Sequence, residues 1–344
     1  MGSRTNVTAP MTSARAFHLV PIASTGDRFR GFDVYVAAVD DAGTVAFQAE
    51  LQDGGTGVFT GDGGVVRVVA DRSATLVRRF CSHPDLNGVG ALSVYAELAA
   101  GGQGVVLLEA GAVTPVARTG DALARIGPAG PTMNRAGEVA FRADTRAGES
   151  GVFVARRGAV VRVADTTEVA AFQGLPLIND RGTVAYRADL RDGGHGIYVG
   201  PGGALGRVET GERFCELGRF PSLNHADVVA FAARVTGGGA GVFTLERGRV
   251  TPVIDTSAGF ESFRGALIND AGTVFFYGTP SGGELGVYAA ADPRRAIVAF
   301  GEALFGSTVV DFALNPVSVN ARDQLAIRVR LADGRQLIVR ADPA

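Results

Sequence analysis

The sequence predicts an all-β chain folded as a seven-bladed β-propeller of four-stranded antiparallel blades. Three observations predict it. A block recurs seven times, each copy reads as strands, and one strand-like segment near the N-terminus has no blade of its own.

The repeat is direct. INDRGTVAYRADLRDGGHGIYV (178–199) matches VDDAGTVAFQAELQDGGTGVFT (39–60), with further copies beginning at Met133, Leu223 and Ile268 and weaker ones at Leu86 and Val319. Its second position is Asp40, Asn87, Asn134, Asn179, Asn224, Asn269 and Asn320. Seventeen residues on stands a glycine in six copies, Gly57, Gly104, Gly151, Gly196, Gly241 and Gly286, and Leu337 in the seventh.

Each copy has a strand period. TVAYRADL alternates apolar and polar residues, which suits a half-buried strand. NDRG, RDGG and GPGG supply turns between strands. The predicted order is a first strand ending at the Asn column, the VAF strand, the GVF strand, and an outer strand like VTPVARTGD (113–121). The last copy ends at RQLIVRADPA without an outer strand, and HLVPIASTGD (18–27) matches the missing one. It is expected to complete the last blade and so remove two open sheet edges. Residues 1–13 are expected to be a flexible tail and 14–344 one domain. The Asn column is read as turn chemistry, each side chain satisfying local backbone groups.

The blade motif, seen at 179–186 with 196–198, resembles a family of bacterial β-propeller repeats carrying N-x-x-G-x-V-A-F and G-V-F. The resemblance implies the fold and no activity. A more distant likeness is to the propeller half of bacterial enzymes that alkylate aromatic rings in cylindrocyclophane-type natural products. No catalytic residue of theirs matches here.

Composition narrows the functions. All 33 basic residues are arginine, against 35 acidic residues and a net charge of −2. The absence of lysine excludes a Schiff-base lysine and a P-loop lysine. Near-neutral charge gives no footprint for nucleic acid or an anionic membrane. No tryptophan is present, which weakens a sugar-stacking reading. No apolar run has the length of a signal or a membrane span, so a cytoplasmic location is expected. No organic cofactor or metal is implied: the two cysteines, Cys81 and Cys215, lack zinc spacing and could form one disulfide.

Two features carry candidate chemistry. In CSHPD, strand alternation would put Cys81, His83 and Asp85 on one face of the inner strand of blade two. His83 would be a general base, Asp85 its orienter and Cys81 a nucleophile; the alternative is polar channel residues bridged by water. On this reading His83→Ala abolishes function and leaves stability nearly unchanged. The second feature is the Arg and aromatic content of loops entering the inner strands, including Arg30, Phe32, Arg78, Arg79, Arg219, Phe263 and Arg264. These would hold an anionic or aromatic small molecule, with His195 of RDGGHG able to reach the same face. The function expected is a cofactor-independent enzyme performing acid–base cyclisation, elimination or isomerisation, as in natural-product biosynthesis. The alternative is a non-catalytic ring that binds a protein partner or a ligand.

Overall fold

The computed structural model describes residues 17–33, 37–71, 73–120 and 122–344; the expected tail lies outside them. The described strands form seven antiparallel sheets, one per repeat. In blade four, Ala171–Ile178 lies innermost, followed by Val184–Asp189, His195–Val199 and Gly206–Glu209. Blade seven closes as expected. Phe17–Ser24 pairs antiparallel with Gln336–Pro343, from Phe17 opposite Pro343 to Ser24 opposite Leu337. Its register shifts between Pro21 and Ala23. Pro115 and Pro252 stand beside the same shift in the outer strands of blades two and five. Proline fits an edge strand, where its missing N–H breaks no ladder and discourages pairing with another chain.

The inner strands depart from expectation. In blade two the strand is two pieces, Val77–Phe80 and Asp85–Leu86. Blade three divides into Leu123–Ile126 and Thr132–Met133, and blade five into Phe214–Leu217 and Ser222–Leu223. Pro84, Pro128, Pro131 and Pro221 fall in these breaks, and a residue without an N–H cannot continue the ladder.

The core lies between neighbouring blades. Leu175, Ile197 and Val199 of blade four share one cluster with Phe214, Phe231 and Phe243 of blade five. Within blades, the VAF and GVF aromatics stand opposite each other and stack. Phe141 and Phe153 have centroids 5.9 Å apart, and Tyr186 and Tyr198 are 5.3 Å apart. This stack explains the glycine column. A Cβ on Gly151 would lie 2.8 Å from the Phe153 ring and 2.9 Å from the Ala164 carbonyl; on Gly196 it would lie 2.5 Å from Tyr198. In five blades the aromatic two residues on folds back over the glycine; in blade two, where that residue is Val106, a Cβ on Gly104 would instead meet Leu98 at 3.1 Å and the Ala117 carbonyl at 3.3 Å. Blade seven has Val339 at that place, and there Leu337 is accommodated.

The Asn column both closes the turns and joins the blades. Each Oδ1 accepts the N–H four residues on, as Asn179 does from Thr183 at 3.0 Å. From Asn134 onward the Nδ2 also reaches the next blade: Asn134 donates to the Asn179 carbonyl at 3.1 Å and Asn179 to Asn224 at 2.9 Å. Asn224 donates to Asn269 at 3.2 Å, Asn269 to Asn320 at 2.9 Å, and Asn320 to Asp40 at 2.7 Å. Asp40 keeps the turn bond to Thr44 and, lacking an amide, ends the relay. A parallel set of bonds uses the following residue, whose carboxylate accepts a backbone N–H from the preceding blade. Arg135 donates to Asp180, His225 to Asp270 and Ala321 to Asp41, at 2.7–2.8 Å. The turn reading of the column was therefore half of its role.

Asn179 is buried, and its truncation strands the Thr183 N–H and leaves the Asn224 carbonyl with the Asp227 N–H alone. Asn179→Ala is expected to cost about 2–3 kcal/mol, read as a lower urea midpoint. Asn179→Asp should cost more, because it aims a carboxylate at the Asn224 carbonyl and at Asp227, now 2.7 Å from the amide. An unchanged midpoint in both variants would remove the relay from the stability of the ring.

Candidate functional site

The upper face, where inner strands begin, and the lower face, where they end at the Asn column, differ. The lower mouth is a polar cavity of about 160 Å³ bordered by Asp41, Asp85, Asp180, His225 and Asp270. His225 stands 3.2 Å from Asp270 and 3.6 Å from Asp180. Burial, with Asp41 and Asp180 adding like charge, raises the Asp270 pKa. The upper face carries a pocket of about 730 Å³ spread over blades four to seven.

One column explains where this pocket opens. The fourth residue of each VAF strand is Gln48, Tyr95, Arg142, Arg187, Ala232, Tyr277 or Arg328. The long ones fill the space towards the next blade. The Tyr95 hydroxyl accepts the Arg142 N–H at 3.2 Å, Arg142 donates to the Gly174 carbonyl at 3.1 Å, and the Tyr277 hydroxyl meets Leu314. Blade five has only Ala232, with Gly218 opposite it and Gly265 in the next inner strand. The pocket opens over this gap.

Its wall is apolar with charged groups at defined places. Phe263 packs on Phe260 and Phe276 at 5.4 and 5.5 Å, and Tyr277 stacks on Phe312 at 5.9 Å. Arg187, nearly fully buried, ion-pairs with Asp189, which also accepts the Gln173 amide at 2.6 Å. Burial pushes the Asp189 carboxyl up, but Gln173 and Arg187 outweigh it and hold the pKa below its ordinary value. His195 lies opposite Asp189 in the sheet and lines the pocket. Its Nδ1 is buried without a hydrogen-bond partner among the described residues, as is Arg187 Nε. The backbone of His195 is held by the Thr210 hydroxyl, which accepts its N–H at 2.8 Å.

The structure divides the expected site residues. His195, Arg219, Phe263 and Arg264 line the pocket. Arg30 and Arg78 instead form exposed cross-strand ion pairs, with Glu50 at 2.9 Å and Glu97 at 2.6 Å. Arg79 is exposed on the same strand of blade two. Phe32 is a core residue, packed on Phe29 and Phe47, and its N–H donates to Gln336.

Cys81, His83 and Asp85 do not share the face that strict alternation would give, because the strand breaks between them. The Ser82 hydroxyl accepts the Tyr95 N–H at 3.0 Å, and Pro84 has no N–H to give. Cys81 is exposed and free, as is Cys215. Partial burial of the Cys81 thiol pushes its pKa up despite Arg79 and Arg78 nearby. His83 and Asp85 turn into the seam with blade three. A Cβ on Gly130 would overlap the His83 ring at 2.0 Å, and Asp85 accepts the Met133 N–H at 2.7 Å and its neighbour Leu86's at 2.9 Å. Burial lowers the His83 pKa to about 4 and raises that of Asp85 to about 7.

No family model matches this chain, and no curated protein sequence matches it. Its solved structural neighbours are β-propeller proteins. An oligogalacturonate lyase from Vibrio parahaemolyticus has TM-score 0.57 and 11% identity, over 95% of this chain and 98% of its own. A puromycin hydrolase has TM-score 0.53 and 14% identity over 91% of this chain, which spans 51% of that enzyme. A chain of the mitotic checkpoint complex has TM-score 0.51 and 14% identity, over 99% of this chain and 97% of its own. The chain spans 65% of TolB from Acinetobacter baumannii. The similarities above TM-score 0.5 agree with a β-propeller fold and reach neither the bacterial repeat family nor the aryl-alkylating enzymes. Among the described residues, no helix is long and apolar enough to cross a membrane.

The seam between blades two and three makes a pH prediction. Asp85, with a folded pKa above its unfolded value of 3.8, contributes stability below pH 3.8 that is lost as pH rises to about 7. His83, with a folded pKa below 6.5, contributes stability above pH 6.5 that is lost as pH falls to about 4. The two slopes oppose each other. Asp85→Asn should therefore expose a fall in urea midpoint on acidification from pH 6.5 to 4, and His83→Gln a rise over the same interval. Identical profiles in both variants would place these groups in solvent. His83→Ala also leaves a buried hole and is expected to lower stability, contrary to the sequence expectation.

Proposed function

We propose that this protein binds an anionic small molecule with an apolar or aromatic body in the pocket over blades four to seven, and moves a proton on it through His195. The observation that carries this reading is a buried, unpartnered His195 Nδ1 on the wall of a pocket that also presents Phe263, Arg219 and Arg264. An imidazole can take or give a proton through a ring nitrogen without a cofactor. Arginine forks hold a carboxylate and stack on rings. The pocket volume is that of small-molecule sites. Elimination, isomerisation and cyclisation adjacent to a carboxylate all use this equipment, in a cofactor-independent reaction of the kind natural-product biosynthesis employs. Cys81, His83 and Asp85, the catalytic set expected from the sequence, lie outside this pocket and have no part in this reading.

The second reading is a binding ring without turnover, for a ligand or a protein. A propeller of similar fold is a chain of the mitotic checkpoint complex, and this surface exposes Val65, Val68 and Leu76.

One probe separates these readings. Phenylpyruvate carries a ring, a carboxylate and an acidified C–H bond. In D2O the protein should accelerate deuterium incorporation at that carbon. His195→Gln should return the rate to the uncatalysed one while benzoate still binds. Benzoate binding without acceleration in the wild type would reduce the protein to a binder. No binding of either compound would refute the pocket as the site.

A further inference from the structure

The charges around the pocket do not balance, and the imbalance has a shape. The lining holds four arginines, Arg187, Arg219, Arg234 and Arg264, and three carboxylates, Asp189, Glu216 and Asp311. Arg187 is matched by Asp189, Arg234 loosely by Glu216 at 3.9 Å, and Asp311 by Arg328 behind the wall. Arg219 and Arg264 are left without a hydrogen-bond or ion-pair partner for their guanidinium groups among the described residues.

These two occupy the same place in adjacent blades. Arg219 lies five residues before Asn224, and Arg264 five before Asn269. The backbones differ there, Arg219 lying in the break of the inner strand of blade five and Arg264 within the continuous strand Phe260–Ile268, but both residues line the one pocket. Blades two, three and four have Ser82, Ala129 and Gly174 at this position. Neighbouring positions bring Phe220 and Phe263 to the same pocket. Both arginines line one pocket with no counter-charge of their own, and like charges gathered in one pocket repel unless a counter-charge is supplied. One singly charged ligand leaves half of that charge unmatched.

We infer that the natural ligand is a dianion, carrying either two carboxylates or one phosphoryl group on an apolar body, and that Arg219 and Arg264 share its charge. This rests on the pocket being the binding site, as proposed above. Both chemistries present the same two negative charges to two forks.

The test measures calorimetric affinities of benzoate, phthalate and phenyl phosphate for the full chain, well above the second phosphate pKa of about 6. Phthalate, phenyl phosphate or both should bind at least roughly tenfold more tightly than benzoate, the increment of one added charged contact. Arg219→Gln and Arg264→Gln should each bring the ratio of dianion to benzoate affinity down to about one, whatever each does to benzoate binding itself. Both side chains are exposed, and an unchanged unfolding midpoint confirms that each variant is folded. The tighter of the two dianions assigns the source of the charge. Equal affinity for all three probes, or a margin that survives both substitutions, overturns the dianion while leaving anion binding intact. Failure of every probe to bind overturns the pocket itself and this inference with it.

Discussion

The ring depends on side-chain amides placed where the inner strands of blades three to seven end. A single blade has apolar residues on both faces and cannot bury them alone, so its stability comes from its neighbours. The Asn column ties that requirement to chemistry. One oxygen closes the turn inside the blade, and the amide nitrogen spans to the next blade's carbonyl. Because both ends of the side chain are used, the spacing between blades at the lower face is fixed to hydrogen-bond tolerance. The relay runs from Asn134 round to Asp40. Phe17–Ser24 then adds a second closure at the outer rim, joining residues more than 300 positions apart in sequence.

Fixing the lower face releases the upper one. With the blades held from below, the column above them can vary in size without altering the ring. Where it carries Tyr95, Arg142 or Tyr277, the side chain bridges to the next blade. Where it shrinks to Ala232, the seam opens into a pocket and neighbouring residues become its wall. The arginines of the inner strands accordingly have different fates. Arg30 and Arg78 face a glutamate across the strand pair and are neutralised there. Arg219 and Arg264 face the gap.

The architecture was legible because it is repeated. Seven copies, a fixed glycine offset and an orphan outer strand were enough to place the blades and their closure. The reasons behind the columns were less legible. The glycine offset is plain in the sequence, but its cause, an aromatic ring folded back over a missing Cβ, needs the stacked pairs such as Phe141 with Phe153. The Asn column showed its turn and hid its reach to the next blade, which depends on inter-blade distance. The CSHPD segment misled because period-two reasoning assumes an unbroken strand, and Pro84 was the signal against it. Four residues of the pocket, His195, Arg219, Phe263 and Arg264, were named from the sequence, but its position over blades four to seven was not, because its sign is a deficit, Ala232 in a column of large residues. Aligning the copies position by position would have exposed both that deficit and the matched pair Arg219 and Arg264.

Amide hydrogen exchange tests the closed ring most directly. If closure governs the fold, the amides of the latch strand that pair with Gln336–Pro343 exchange at the same rate as core amides in the middle of blade four, such as Tyr186 and Ile197. Both sets then open only in global unfolding. Latch amides that exchange orders of magnitude faster than blade four, with blade four still protected, would contradict it and show a stack of sheets that holds without being closed.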